Sequence, residues 1–306
     1  MYPIWEYPMS NLPHQVVRLA LNFNLVSADL LSRALPLDFG PGLVFLEINY
    51  ENLQKQKSPL EPRRPVSAYR IARELRLPYE TGRRYVNQLV DVGWCERLDR
   101  GFIAAAQGPG EAAVSSTVPA VWEAVWHYVD ALNRAGVEIP VGGFSSPFNV
   151  KSRVALEASL HFLNLLRIGC DVFGIDAHDA LLMYAILTAN TAHVTARLSA
   201  ADLAADVGAP IPDSQRRPVS AYRLAQDLRA PYETIRRHVR RLVKAGLCVD
   251  APDGGVIAPA RAHDRPEIRQ GVTAINAEVA RFLKVIADIT PLPLEEPQVE
   301  PVLRSA

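Results

Sequence analysis

A chain of 306 residues, 49% hydrophobic and 22% charged, has enough apolar material for one large core or two ordinary ones, and too little polar excess for wholesale disorder. Its three cysteines, Cys95, Cys170 and Cys248, form no Cys-x-x-Cys pair, which argues against a disulfide framework or a zinc site. Basic and acidic residues balance at 33 each, so a polyanionic partner would have to be met by local charge and not by the total.

In chain order, Met1 to His14 has neither a basic n-region nor an apolar h-region, and an apolar helical pattern follows over about Leu12 to Ala34. Then comes Arg63-Arg64-Pro65-Val66-Ser67-Ala68-Tyr69-Arg70, which recurs as Arg216-Arg217-Pro218-Val219-Ser220-Ala221-Tyr222-Arg223, a shift of 153. Over 63–95 against 216–248, 22 of 33 positions are identical. Unrelated segments of ordinary composition would share about two.

Within the first copy, Ala68, Ile71, Ala72 and Leu75 make the stripe of a short helix with Ser67 as its N-cap. Leu77-Pro78 breaks it, and a second helix is predicted from about Tyr79 to Val92, with Val86, Leu89 and Val90 inward and Gly93 in a left-handed C-terminal position. Two short strand-like runs around Asp99-Arg100 predict a hairpin, repeated in the second copy around Asp253-Gly254-Gly255. Ile71 to Leu224, Leu77 to Ala230 and Val92 to Ala245 are read as buried positions that differ between the copies.

Apolar helical patterns also follow the copies, at about Val118 to Ala135 and Ile268 to Ile289, and one precedes the second at Val154 to Phe173. The expected organisation is a duplicated unit: residues 1–140 with a helix-turn-helix core at 63–104, a linker at 141–150, residues 151–290 with a core at 216–258, and a flexible proline-rich tail at 291–306. The expected fold class is mainly α with small β-hairpin wings, in two tandem winged helix-turn-helix units flanked by further helices.

Ser67 to Trp94 resembles the DNA-binding segment of bacterial regulators of the MarR and IclR type. The pattern of a Ser/Thr cap, Leu-Ala in the first helix, a small turn, then Thr followed by an apolar residue and a basic one is met by Ser67, Ile71-Ala72, Leu77-Pro78, Thr81-Gly82 and Arg84. Ile235 improves the match in the second copy. The likeness covers about 45 residues in each half, and the flanking helices match no regulator family. It implies double-stranded DNA as the partner.

Local charge agrees with that expectation. Residues 63–86 sum to +5 and residues 216–244 to +7, which leaves −12 for the rest of the chain. Such concentration suits phosphate neutralisation with counterion release. The residues expected at DNA are Ser67, Tyr69, Arg70, Arg73, Tyr79, Glu80, Thr81, Arg83, Arg84 and Asn87, with Ser220, Tyr222, Arg223, Tyr232, Glu233, Thr234, Arg236, Arg237, Arg240 and Arg241 in the second copy. Phosphate contacts are expected from Arg63, Arg64, Arg216, Arg217 and Lys244. Arginine can donate twice to guanine and glutamate can accept from cytosine. Glu80 and Glu233 are read as base contacts or as orienting Arg84 and Arg237.

No phosphate-loop, dinucleotide, zincin or hydrolase motif occurs, so no enzyme, cofactor or metal is expected. His161, His178 and His193 are read as core or surface residues, and the apolar helix bearing Trp122, Trp126 and Tyr128 as core before a ligand-pocket wall or a dimerisation helix. The apolar stretch Ala180 to Ala189 is too short to cross a bilayer, so the expected place is the cytoplasm, at the nucleoid, with no membrane partner. The leading expectation is a transcriptional regulator acting as a single-chain pseudo-dimer. The competing ones are a replication initiator or partition-type protein and a winged-helix protein-interaction module. Effector and further pairing of chains stay open.

Overall fold

The computed structural model describes residues 13–35, 39–54, 61–106, 108–139, 150–195, 211–252, 254–261 and 265–290. The first half runs α1 (Pro13–Ala34), α2 (Phe39–Leu53), α3 (Ala68–Glu74), α4 (Tyr79–Asp91), β1 (Cys95–Leu98), β2 (Gly101–Ala104) and α5 (Pro109–Arg134). The second repeats that order with α6 (Val150–Phe173), α7 (Ala177–Thr195), α8 (Ala221–Asp227), α9 (Tyr232–Lys244), β3 (Val249–Asp250), β4 (Val256–Ile257) and α10 (Pro266–Ile289), with one 3-10 turn at Asp213–Gln215 before α8. The protein is thus mainly helical, with two short antiparallel strand pairs among the described residues. Of the expected linker at 141–150, residues 141–149 lie outside the described residues and Val150 opens α6, while the tail at 291–306 lies outside them entirely.

The repeated segments fold alike for local reasons. The Ser67 and Ser220 hydroxyls accept from the backbone N–H of Arg70 and Arg223, each at 3.2 Å, capping α3 and α8. Gly93 and Gly246 end α4 and α9 at φ 75° and 69°, the left-handed region. In the hairpins Cys95 pairs with Ala104 and Val249 with Ile257. Val66 and Val219 add a single bridge to Phe102 and Val256, so the chain entering each copy lies against its hairpin. Ile71, Leu224 and Leu77 are buried as expected and Ala230 is half-buried, but Val92 is 46% exposed and its counterpart Ala245 is exposed too, because α4 and α9 have ended there and both residues project past the core.

The helix before each copy explains how the duplication extends further. Asn52, buried in α2, donates to the carbonyls of Arg64 and Phe102 and accepts from Ala104 N–H. Asn190, buried in α7, donates to the carbonyls of Arg217 and Val256 and accepts from Ala258 N–H. Each asparagine ties an approach strand to a hairpin, so α2 and α7 are equivalent elements. Both helices are apolar on nearly all sides and buried, which erases the amphipathic period.

Helices α1, α5, α6 and α10 pack on one another at the centre. Phe23 of α1 stacks on Tyr128 of α5 at 4.6 Å, and His161 of α6 stacks on Phe282 of α10 at 4.3 Å. The two pairs meet, with Phe23 5.5 Å from His161 and Tyr128 6.3 Å from Phe282. The halves are therefore related as by an approximate twofold axis through one continuous core, while the second copy adds a smaller cluster seated on Leu182, Met183 and Ile186 of α7. No single helix among the described residues is long and apolar enough to cross a membrane.

Candidate nucleic-acid interface

Burial of Val86 and Leu89 on one side of α4, and of Ile235, Val239 and Leu242 on one side of α9, turns the opposite sides to solvent. Gly82 lets α4 lie close on α3, since an added Cβ would come within 2.8 Å of the Ala72 Cβ. Tyr79, Glu80, Arg83 and Arg84 are exposed on the first turns of α4, with Thr81 and Asn87 half-buried. Tyr232, Glu233, Arg237 and Arg240 are exposed on α9, with Thr234 and Arg236 half-buried. Tyr69 and Tyr222 stand out from α3 and α8 at 65% and 62% exposure.

The exposed charges are ordered locally. Glu80 pairs with Arg83 at 2.9 Å and Glu233 with Arg236 at 3.2 Å, both one helical turn apart and open to water. The glutamates therefore hold Arg83 and Arg236 and not Arg84 and Arg237, although i,i+4 spacing would also permit the latter pairs. Arg84 lies over the Tyr85 ring at 5.2 Å. Among the described residues Arg64, Arg84, Arg217, Arg237, Arg240 and Lys244 make no ion pair. Arg70 pairs with Glu51 at 2.8 Å, Arg73 with Glu74 at 2.9 Å and Arg223 with Asp227 at 2.9 Å, while Asn87 accepts from Arg97 of the hairpin at 2.7 Å.

Three of the expected DNA contacts serve the fold. Arg216 is almost wholly buried, donating to the Ile211 carbonyl at 3.0 Å, with Asp213 at 3.5 Å. Arg63 is bonded to the Ala104 carbonyl and lies 3.3 Å from Glu111. Arg241 donates to Asp179 at 2.6 Å and to Asp176 at 3.0 Å. The reason is common to all three: the side chain starts on the face of its segment that meets the bundle, a direction linear sequence does not report.

Helices α4 and α9 face each other across one cleft, with Arg84 and Tyr85 on one wall, Arg237 and His238 on the other and His178 between them. The His178 ring lies 6.2 Å from that of Tyr85 and 6.1 Å from that of His238. Asp179, at the start of α7, accepts from His238 Nδ1 at 2.7 Å as well as from Arg241. Burial works to raise its carboxyl, and those two bonds more than reverse it, holding it below the usual carboxylate range. Burial holds the His178 imidazole below its ordinary value, so neutral His178 fills the cleft floor.

Sequence reasoning missed Asp176 and Asp179 as the anchors of α9, and their only trace is a pair of acids at the start of an otherwise apolar helix. Among the described residues no group of three His, Cys, Asp or Glu is placed to hold a metal ion. The arrangement offers two similar arginine-bearing helices that border one cleft and are mounted on one helical bundle. Comparison of the chain with protein-family models, with curated proteins and with solved structures finds no match.

Proposed function

We propose that the two repeated segments are winged helix-turn-helix units and that α4 and α9 are their recognition helices, so that one chain binds double-stranded DNA as a pseudo-dimer and acts as a sequence-specific transcriptional regulator. The observation that carries this reading is that Tyr-Glu-Thr-x-Arg-Arg is presented in both copies on the first two turns of the second helix, with none of its four arginines drawn into the core. First-turn side chains of such helices are the ones that meet base edges in the major groove. Glu80 and Glu233 support base reading over general stickiness, because a carboxylate close to phosphate is repelled unless it orients an arginine or accepts from cytosine.

Genome-wide occupancy mapping yields the site, and fluorescence anisotropy with that duplex measures the affinity. Replacing Arg83, Arg84, Arg236 and Arg237 together by alanine is expected to weaken binding by about a thousandfold or more, taking about 1 kcal/mol as the lower value for each contact. An unchanged affinity in a folded quadruple variant rejects the reading.

A further inference from the structure

The cleft between α4 and α9 limits how far apart two DNA-reading helices can stand. Its walls carry Arg84, Tyr85 and Gln88 from one helix and Arg237, His238 and Arg241 from the other, the same three positions at the shift of 153. The copies therefore turn one and the same face toward each other, which is the relation of a twofold axis and not of a head-to-tail repeat, and they meet flank to flank. Tyr85 and His238 are the middle residues of Tyr79–Asp91 and Tyr232–Lys244. Their rings, each about 6 Å from the His178 ring between them, stand at most about 12 Å apart. Each ring lies about 6 Å from its helix axis, with about 2.3 Å of that the Cα radius and the rest the side chain, so the helix midpoints stand within about 25 Å of each other.

Both helices are seated on the first turn of α7. Gly40 of α2 packs against the His178 and Tyr85 rings so closely that an added Cβ would come within 2.7 Å of each. On the other side Asp179 accepts from His238 at 2.7 Å and from Arg241 at 2.6 Å, so α9 cannot swing away without leaving a nearly buried carboxylate unpaired.

Straight DNA presents successive major grooves on one side about 34 Å apart. A major groove about 12 Å wide admits one helix about 10–12 Å across, so α4 and α9 cannot lie side by side in a single groove. The gap between them is no wider than such a groove, so a duplex crosses the rims of the cleft, where Arg84 and Arg237 are exposed, and does not enter it. Helices within about 25 Å reach grooves about 34 Å apart only if the duplex curves toward them. At about 10 Å from the duplex axis, on the inner side, a shortfall of about 9 Å corresponds to a bend of roughly 50°.

We propose that a duplex held by α4 and α9 together is bent toward the protein, by about 40° or more, around an inverted repeat whose central base pairs are selected for flexibility without being touched. The inference rests on the DNA-binding reading of the two helices and adds to it the shape of the bound DNA. Pyrimidine–purine steps kink readily and A-tracts resist bending, so the centre of the site carries specificity that no side chain reads.

Gel mobility of the full chain on circularly permuted fragments of equal length, each carrying the mapped site, measures the bend. Mobility is expected to be lowest with the site at the fragment centre and to correspond to about 40° or more. Replacing a central TA step by an A-tract, with every contacted base kept, is expected to lower affinity about tenfold. Arg83→Ala with Arg84→Ala, and Arg236→Ala with Arg237→Ala, are each expected to weaken binding, which shows that both helices are docked. Mobility independent of site position while both double variants weaken binding overturns the bend and leaves the DNA-binding reading in place. Loss in only one of the double variants shows that a single helix docks, and also overturns it. A folded chain that binds no duplex removes the bend and the DNA-binding reading together.

Discussion

Arg229, in the turn of the second copy, donates Nε to Asp29 of α1 at 2.7 Å, crossing from one half of the chain to the other. Arg76, its counterpart in the first copy, grips Asp171 of α6, so the clasp is reciprocal. Both turn arginines adopt φ 50°, a left-handed conformation that the tight turn imposes and that non-glycine residues seldom take. Exposed pairs of this kind contribute about 1 kcal/mol or less each. The shared core carries most of the holding, and the clasps set the angle of each copy on it.

A fixed relation between α4 and α9 makes a definite demand on DNA. On the proposed reading, inserting two base pairs at the centre of the selected site is expected to lower affinity on the order of tenfold or more, because one copy is then carried off its bases at about 1–3 kcal/mol per lost contact. Competition binding with spaced sites measures this. Equal affinity across spacings shows that the copies move independently.

Arg240 and Lys244 replace Asn87 and Asp91 of the first copy and make no ion pair among the described residues, whereas Arg241 is held by Asp179. Arg240→Gln with Lys244→Gln is expected to reduce the slope of log affinity against log salt by about 2, following about 0.9 per phosphate contact. Arg241→Gln is expected instead to lower the melting temperature, since it leaves nearly buried Asp179 with His238 alone. A changed salt slope in Arg241→Gln with unchanged stability contradicts the assignment.

Asn190→Ala removes three hydrogen bonds and leaves the buried Ala258 N–H and the Arg217 carbonyl without those partners, while the Val256 carbonyl keeps its bond from the Val219 N–H. A loss of about 2–4 kcal/mol in denaturant titration is expected, from about 1 kcal/mol per net bond plus the unsatisfied groups. Asn52→Ala is expected to cost a similar amount. Hydrogen exchange at Ala258 in one variant and Ala104 in the other is expected to quicken first, and protection unchanged at both positions refutes the shared role.

Gly101 has φ 138°, and an added Cβ would lie 2.5 Å from the Val66 carbonyl oxygen. Gly254, at φ 88°, has nothing within 4 Å of that position. Gly101→Ala is expected to destabilise the protein by about 3 kcal/mol or more, and Gly254→Ala by about 1–2 kcal/mol from backbone strain alone. Thermal melts of the two variants compare them directly.

Acid sensitivity between pH 7 and 5 is expected to come from buried histidine. Burial holds His161 below its ordinary value of 6.5, against the raising effect of its bond to Glu278. The unfolded chain therefore binds a proton that the folded one resists, and stability falls as pH drops through the unfolded value near 6.5. His161→Phe, which installs the aromatic found at Phe23, is expected to reduce the drop in melting temperature between pH 7 and 5. An equal drop in the variant assigns the effect elsewhere, His178 first.

Much of the local structure was legible from residue order. The capping serines, the prolines after the first helices, Gly93 and Gly246 at helix ends and the two hairpins all stand where spacing placed them, because each depends on neighbours within a few residues. Helix α2 was not legible: Gly40, Pro41 and Gly42 crowd its first turn, and burial on nearly all sides leaves no polar face to mark its period. The equivalence of Asn52 and Asn190 was hidden too, since 12 residues separate the first from Arg64 and 27 separate the second from Arg217. At the interface, exposure of Arg83, Arg84 and Arg237 followed the helical pattern, while the burial of Arg216 and the anchoring of Arg241 did not.

Sequence alone determined that this protein contains two copies of one basic helix pair with its hairpin, because short-range spacing and the duplication are both written along the chain. Only the tertiary structure decided that the two halves join through one central bundle, that α4 and α9 face one cleft, that Arg63 and Arg216 turn inward and that Arg241 is anchored on Asp179. Those outcomes depend on which faces of distant helices are brought together, and burial decides that through the sum of many long-range contacts that no local pattern encodes.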